Sequence, residues 1–268
     1  MGKAKLMLAT TTQGSATQPP LVLLHGFLGS SHDWHELLPH LSQDYYCIAV
    51  DLPGHGRSGD IQIDSPGFND CIALLRHTLL KVGIPRFHLL GYSLGGRIAL
   101  HLAQTWPEAL LSLHLESCHP GLLSHDERHQ RAMADKLWAE RFNTMPIEQV
   151  LALWYQQAVF ADLSSAEREG LIEKRRHQQP LGLINCYQAT SLALQQDLRQ
   201  VPAKLACQSH YYLGDLDAKF SALAKAWQPQ AGFKLHTIAD AGHNSHQAQP
   251  GAFAMALKGA LNAISRGE

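Results

Sequence analysis

Apolar residues along this chain follow two periods, and the points where the period changes divide it into elements. Residues 21–24 are all apolar, a run too short for a helix and typical of a buried strand. Similar runs at 45–50, 87–90, 111–115, 206–213 and 234–238 predict five further strands. Between them the spacing turns helical. Trp34, Leu37, Leu38 and Leu41 recur at three- and four-residue intervals. Over 68–81, Cys71, Leu74, Leu75, Thr78 and Leu79 mark an inward face, and Gly83 supplies the stop. Residues 98–109, 220–227 and 250–264 repeat that pattern. Strands alternating with helices predict an α/β fold, a mostly parallel central sheet flanked by helices.

The strand signal lapses beyond His119-Pro120-Gly121. From 124 to about 198 the pattern is almost wholly helical: Ala132, Leu137, Trp138 and Phe142; then Val150, Leu151, Trp154 and Tyr155; then Leu181, Ile184, Tyr187 and Leu192. An all-helical stretch between two sheet segments is expected to form a lid over the carboxyl edge of the sheet. The expected organisation is therefore a core of residues 1–118 and 200–268 with a helical lid at 119–199.

Charge narrows the function more than the fold. With 22 basic and 23 acidic residues the chain is nearly neutral, and no block of one sign suggests a nucleic-acid groove or an anionic membrane surface. The 17 histidines are scattered and form neither an H-E-x-x-H helix nor a cysteine–histidine array, so no metal site is expected. Five widely spaced cysteines suit buried thiols in a reducing compartment. No run of 18 apolar residues is present to span a membrane, and residues 1–5 do not read as a signal peptide, so a cytoplasmic protein is expected.

Chemistry first surfaces where the third strand runs into Gly91-Tyr92-Ser93-Leu94-Gly95. This is the G-x-S-x-G nucleophile elbow, a turn so tight that its flanking glycines leave no room for side chains. An elbow predicts its partners in the chain order serine, acid, histidine, each in a loop at a strand end. Asp215 and Asp217 are nearly equal candidates for the acid, with Asp217 favoured by the slot it takes before the helix at 220; Asp240 is a weaker third. His243 is the candidate histidine. His25 and His55 precede the serine and are expected to order their loops. An oxyanion site should use the amide of Leu94 and one from the loop after the first strand, that of Phe27. Arg97, one helical turn past Ser93, is placed to face a pocket or the lid. The lid adds Arg128, Arg131, Lys136 and Lys174-Arg175-Arg176, offset by Asp126, Glu127, Asp135, Glu140 and Glu169, so any preference for anions must come from arrangement.

Leu24-His25-Gly26-Phe27, Asp51-Leu52-Pro53-Gly54-His55-Gly56-Arg57-Ser58 and the elbow resemble the α/β-hydrolase superfamily. A finer resemblance is to the 2-succinyl-6-hydroxy-2,4-cyclohexadiene-1-carboxylate synthase family of the menaquinone pathway. It rests on the elbow through Arg97, on Glu116-Ser117-Cys118-His119-Pro120-Gly121-Leu122, on Trp154-Tyr155-Gln156-Gln157 with Val159-Phe160, and on Ala189-Thr190-Ser191-Leu192-Ala193 with Asp197-Leu198-Arg199. It runs through core and lid alike, although Glu116-Ser117-Cys118 departs from the form some members carry. The resemblance implies an α/β-hydrolase fold and a cofactor-free carbon–oxygen lyase that eliminates pyruvate from a small tricarboxylate. It implies the triad Ser93, Asp217 and His243, oxyanion amides of Phe27 and Leu94, and substrate contacts from Tyr92, Arg97, Arg131, Trp154 and Arg175. A monomer or weak homo-oligomer is expected. Two other functions share the fold: a carboxylic-ester or carbon–carbon-bond hydrolase using the same triad, and a non-catalytic binding protein, against which Ser93, Asp217 and His243 count.

Overall fold

Alternate residues of the central strands enter two different cores, which is why these strands read as unbroken apolar runs. The computed structural model describes residues 6–266. Its strands are β1 (Thr10–Gln13), β2 (Pro20–Leu24), β3 (Tyr46–Val50), β4 (Phe87–Tyr92), β5 (Leu110–Glu116), β6 (Ser209–Gly214) and β7 (Lys234–Ile238). They form one sheet in the order β1-β3-β2-β4-β5-β6-β7. Every neighbouring pair is parallel except β1 with β3, which is antiparallel.

The helices are α1 (Leu38–Leu41), α2 (Phe68–Lys81), α3 (Leu94–Thr105), α4 (His125–Thr144), α5 (Ile147–Trp154), α6 (Ser165–Arg175), α7 (Pro180–Ala189), α8 (Val201–Lys204), α9 (Ala218–Ala231), α10 (Ser245–Ala248) and α11 (Pro250–Arg266). Val22 and Leu24 of β2 pack with Leu75, Leu79, Ile98 and Leu102 on the face covered by α2 and α3. Leu21 and Leu23 point the other way, against Leu38, Leu41, Phe253 and Leu257 of α1 and α11. All four β2 side chains are buried, and each is worth roughly 1.5–3 kcal/mol relative to exposure.

The fold is that of the α/β hydrolases, with the expected helical insertion. Helices α4 to α7 lie between β5 and β6 and enclose a separate core, in which Phe142, Val150, Leu151, Tyr155 and Leu183 pack with Leu28 of the loop after β2. Two of these helices start with capping boxes, Ser124 with Glu127 and Ser164 with Glu167, each serine accepting the N3 amide while the glutamate accepts the serine amide. Regular helix ends at Ala189; from Thr190 to Arg199 the chain is irregular, so the helical stretch is shorter than its apolar spacing suggests.

Three other element boundaries differ from expectation. Strand β1 is not visible as an apolar run, because Thr10–Gln13 is a polar edge strand with three of its four residues exposed. The helix expected over 98–109 begins at Leu94 and ends at Thr105, two residues before Pro107, which cannot donate to a continuing helix. The strand expected from 206 begins at Ser209.

Candidate active site

Five strands, β2, β4, β5, β6 and β7, deliver the site to one edge of the sheet. Strand β4 ends at Tyr92, and Ser93 then adopts φ +50° and ψ −107° before α3 begins at Leu94. A left-handed φ is costly for a residue with a β-carbon and marks a position held by its surroundings. The surroundings explain the glycines: a β-carbon on Gly95 would overlap the carbonyl of Leu24. Only glycine lets β2 and the start of α3 approach so closely.

His243 reaches the elbow from the loop after β7. Its Nε2 lies 3.4 Å from Ser93 Oγ, a long contact, and its Nδ1 lies 2.8 Å from Asp217 Oδ2. Asp217 also caps α9, its Oδ1 accepting the Phe220 amide at 3.0 Å, so two directional bonds fix the carboxylate. Asp217 and His243 are both about 5% exposed. Asp215 is exposed, and its Oδ1 accepts the Ala241 amide at 3.4 Å. Asp240 takes a left-handed φ of +54° in the turn between β7 and His243.

A second acid–histidine pair underlies this one. The Glu116 carboxylate, fully buried at the end of β5, accepts from Ser245 Oγ at 2.7 Å and from the His246 amide at 3.0 Å, and meets His246 Nδ1 at 2.7 Å. Its backbone carbonyl accepts the Ser93 amide at 2.9 Å. One residue thus ties the serine elbow to the segment just after His243. His246 is further held by stacking on Trp34, with ring centroids 4.2 Å apart.

His25 and His55 act within their loops. His25 Nδ1 donates to the Gly26 carbonyl at 2.7 Å while Nε2 accepts the Leu52 amide at 3.0 Å. His55 likewise links the Pro53 carbonyl and the Leu28 amide. Both rings must be neutral for this pattern, and burial drives the His55 pKa down to about 3. Together they shape the turn that presents Phe27, whose ring packs 5.1 Å from Trp154 and 4.8 Å from Tyr187 in the inserted helices. Neither the Phe27 amide nor the Leu94 amide donates a hydrogen bond among the described residues.

A cavity of about 120 Å³ brings together Phe27, Ser93, Leu94, Arg97, Arg131 and Trp154. Tyr92 and Arg175 line an adjoining cavity, which shares Phe27 with the first. There Arg175 pairs with Asp33 at 2.8 Å, both side chains being about nine-tenths buried. Arg131 is also paired, with Asp135 at 2.7 Å, and Asp135 further accepts from Tyr187 and Ser191. Arg97 makes no ion pair among the described residues; it donates to the Thr190 carbonyl at 2.8 Å and more weakly to Gln195 at 3.4 Å. Burial, with Arg131 nearby, lowers its pKa to about 10, which leaves it charged at neutral pH. An unpaired guanidinium beside a serine–histidine pair suits an anionic ligand.

The same cavity holds residues that sequence reasoning missed: Ser117, His119, Tyr187, Thr190 and Lys219. Asp33, the partner of Arg175, was also missed, for the two lie 142 positions apart and no local pattern joins them. Among the described residues no helix is long and apolar enough to cross a membrane.

Comparison with known proteins identifies the architecture and the relatives. A family model for the alpha/beta hydrolase fold matches residues 19–247. The 2-succinyl-6-hydroxy-2,4-cyclohexadiene-1-carboxylate synthase of Enterobacter sp. (strain 638) is 42% identical over 92% of this chain and 93% of its own length. The chain belongs to that synthase family, within the α/β-hydrolase superfamily. The synthase of Salmonella typhimurium (strain LT2) is also 42% identical, over 88% of this chain and 91% of its own. Among solved structures, MenH from S. aureus superposes with a TM-score of 0.88 at 24% identity, covering 96% of this chain and 98% of that one. A thermophilic esterase from Thermogutta terrifontis gives 0.80 at 21% identity, over 96% and 93%. The fold is therefore shared with hydrolases, whereas the high identity across core and lid is to the synthase family.

Proposed function

We propose that this protein is a carbon–oxygen lyase that eliminates pyruvate from 2-succinyl-5-enolpyruvyl-6-hydroxy-3-cyclohexene-1-carboxylate, leaving 2-succinyl-6-hydroxy-2,4-cyclohexadiene-1-carboxylate, a step of menaquinone biosynthesis. The observation that carries the reading is the 42% identity to synthases over nine-tenths of the chain. The site agrees with it: Ser93 and His243 meet beside an unpaired arginine, in a cavity that also holds Arg131.

The roles follow from the chemistry. Asp217 holds the Nδ1 side of His243 and stabilises the imidazolium that forms. His243 takes the Ser93 proton, and the serine oxygen removes the ring proton next to the succinyl ketone. The C–H electrons move toward the ketone, whose oxygen gathers charge against the Phe27 and Leu94 amides. Collapse of that enolate shifts the ring double bond and breaks the carbon–oxygen bond to the enolpyruvyl group. The departing enolpyruvate takes a proton and tautomerises to pyruvate. No acyl-serine forms and no water is consumed. Arg97 and Arg131 bind substrate carboxylates, Trp154 and Tyr92 shape the walls, and Arg175 binds a carboxylate once it exchanges Asp33 for substrate. We further infer a lid of residues 119–199 over a core of residues 1–118 and 200–268, of which residues 1–5 and 267–268 lie outside those described, and no cofactor. The cytoplasm, as a monomer or weak homo-oligomer, is the setting we infer; the free thiols of all five cysteines support it.

The test is direct. Purified protein mixed with the enolpyruvyl substrate should release stoichiometric pyruvate, followed by coupled oxidation of NADH through lactate dehydrogenase. No release above background, or faster turnover of simple acyl esters, would end the reading.

A further inference from the structure

Ser117 is built into the site in a way that neither folding nor the triad requires. It follows Glu116 at the end of β5, where Glu116 stands opposite Tyr92 in the parallel register and accepts the Ser93 amide. Ser117 therefore sits at the same sheet edge as the elbow, one strand over. Its backbone has φ +44°, in the left-handed region that glycine occupies freely and residues with a β-carbon occupy at a cost. Its amide is satisfied, donating to the Tyr212 carbonyl at 3.1 Å. Its side chain is not. The residue is 0% exposed, and Oγ has no hydrogen-bond partner among the described residues.

Buried hydroxyls are nearly always partnered, and one that is not calls for an explanation. Glycine at this position would remove both the strain and the orphaned hydroxyl. The cavity supplies a reason for serine: Ser117 lines it together with Ser93, Arg97 and Arg131. Guanidinium groups only donate, so they offer the hydroxyl proton no acceptor. A ligand carboxylate entering this cavity would bring the hydroxyl an acceptor.

We propose that the Ser117 hydroxyl donates a hydrogen bond to a carboxylate oxygen of the bound substrate, on one of the two carboxylates that remain after pyruvate leaves, held also by Arg97 and Arg131. Ser117 is then a substrate-binding residue, and it supplies a directional contact where the two arginines supply charge. The proposal rests on the pyruvate-eliminating reading, which provides the anionic ligand. A hydroxyl donating to a carboxylate is a charge-assisted bond, stronger than one between neutral partners.

Two variants separate the hydroxyl from the backbone. Ser117→Ala removes Oγ and keeps the strained β-carbon; Ser117→Gly removes both. KM for the enolpyruvyl substrate should rise about tenfold in each, and the dissociation constant of the cyclohexadiene product, measured by calorimetry, should rise by the same factor. Ser117→Gly should melt at or above the wild-type temperature, which shows that the lost affinity is not lost folding. KM and product affinity within twofold of wild type in both variants would overturn the assignment. So would a change confined to one of them, since the hydroxyl is missing from both. Absence of pyruvate release by the wild-type protein would instead remove the parent reading.

Discussion

Mild acidification should destabilise this protein, because several histidines are buried where a proton is disfavoured. Under α11, His88 Nδ1 lies 2.7 Å from Ser112 Oγ, which lies 2.7 Å from His114 Nε2, while His114 Nδ1 lies 2.9 Å from the Tyr212 hydroxyl. His210 stacks on His114 with centroids 5.0 Å apart and contacts His236 at 3.0 Å. Burial pushes the pKa of His88 and of His210 down to about 4, with His236 and Lys234 adding repulsion at His210. Burial, then the neighbouring histidines, holds His114 well below its ordinary value. In the unfolded chain each should titrate near 6.5. A group whose folded pKa is depressed in this way is neutral in both states above that value. Below it, the unfolded chain gains protons that the folded one refuses, and stability falls until the folded pKa is reached. Between pH 7.5 and 5.5 each such histidine costs about 1.4 kcal/mol, so these three cost about 4 kcal/mol. That is a large share of the 5–15 kcal/mol that holds a typical domain together. Urea unfolding at pH 7.5, 6.5 and 5.5 measures it, and the slope near pH 5.5 should approach three protons taken up on unfolding. A loss below about 1 kcal/mol over that range would refute the reasoning. His114→Gln, which keeps a polar side chain but cannot titrate, should reduce the slope by about one proton.

Three further outcomes follow from the site. Asp217→Asn should leave the fold intact while lowering turnover by about 10⁴-fold, since the amide cannot hold the His243 tautomer or stabilise its cation; pyruvate release with circular dichroism as a control checks this. Arg97→Lys keeps the charge but loses the planar fork that meets the Thr190 carbonyl, so KM should rise about tenfold with a smaller effect on kcat in steady-state assays. Glu116→Ala strands the Ser245 hydroxyl, the His246 amide and the His246 ring, so urea unfolding should show a loss of about 3 kcal/mol, together with reduced turnover as the His243 loop loosens.

What the chain displayed in advance was whatever depends on neighbours in sequence. The elbow is local: two glycines, a serine and the strand before them suffice, because the constraint is a single tight turn. The order of the residues we propose as a triad is nearly local as well, since each sits in a loop after a strand. Choosing between Asp215 and Asp217 needed geometry, for both follow β6 and only their directions differ. Strand β1 was hidden because an exposed edge strand needs no apolar side chains. The Glu116–His246 pair and the Arg175–Asp33 pair were hidden for another reason. Their members are 130 and 142 residues apart, and charged residues that neutralise each other carry no periodic signature.

Phe27 belongs to two structures at once. Its backbone lies in the turn ordered by His25 and His55, and its amide is the one we assign to the oxyanion. Its ring, with Leu28 beside it, is packed among Phe142, Trp154 and Tyr187 of the inserted helices. The cap is therefore not a detachable module. A chimera that takes helices from another family member without residues 25–29 would inherit a mismatched aromatic seam, and would displace the amide we assign to the oxyanion before it lost its fold. Specificity and rate in this family should accordingly change together, with the loop after β2 and the cap exchanged as one cassette.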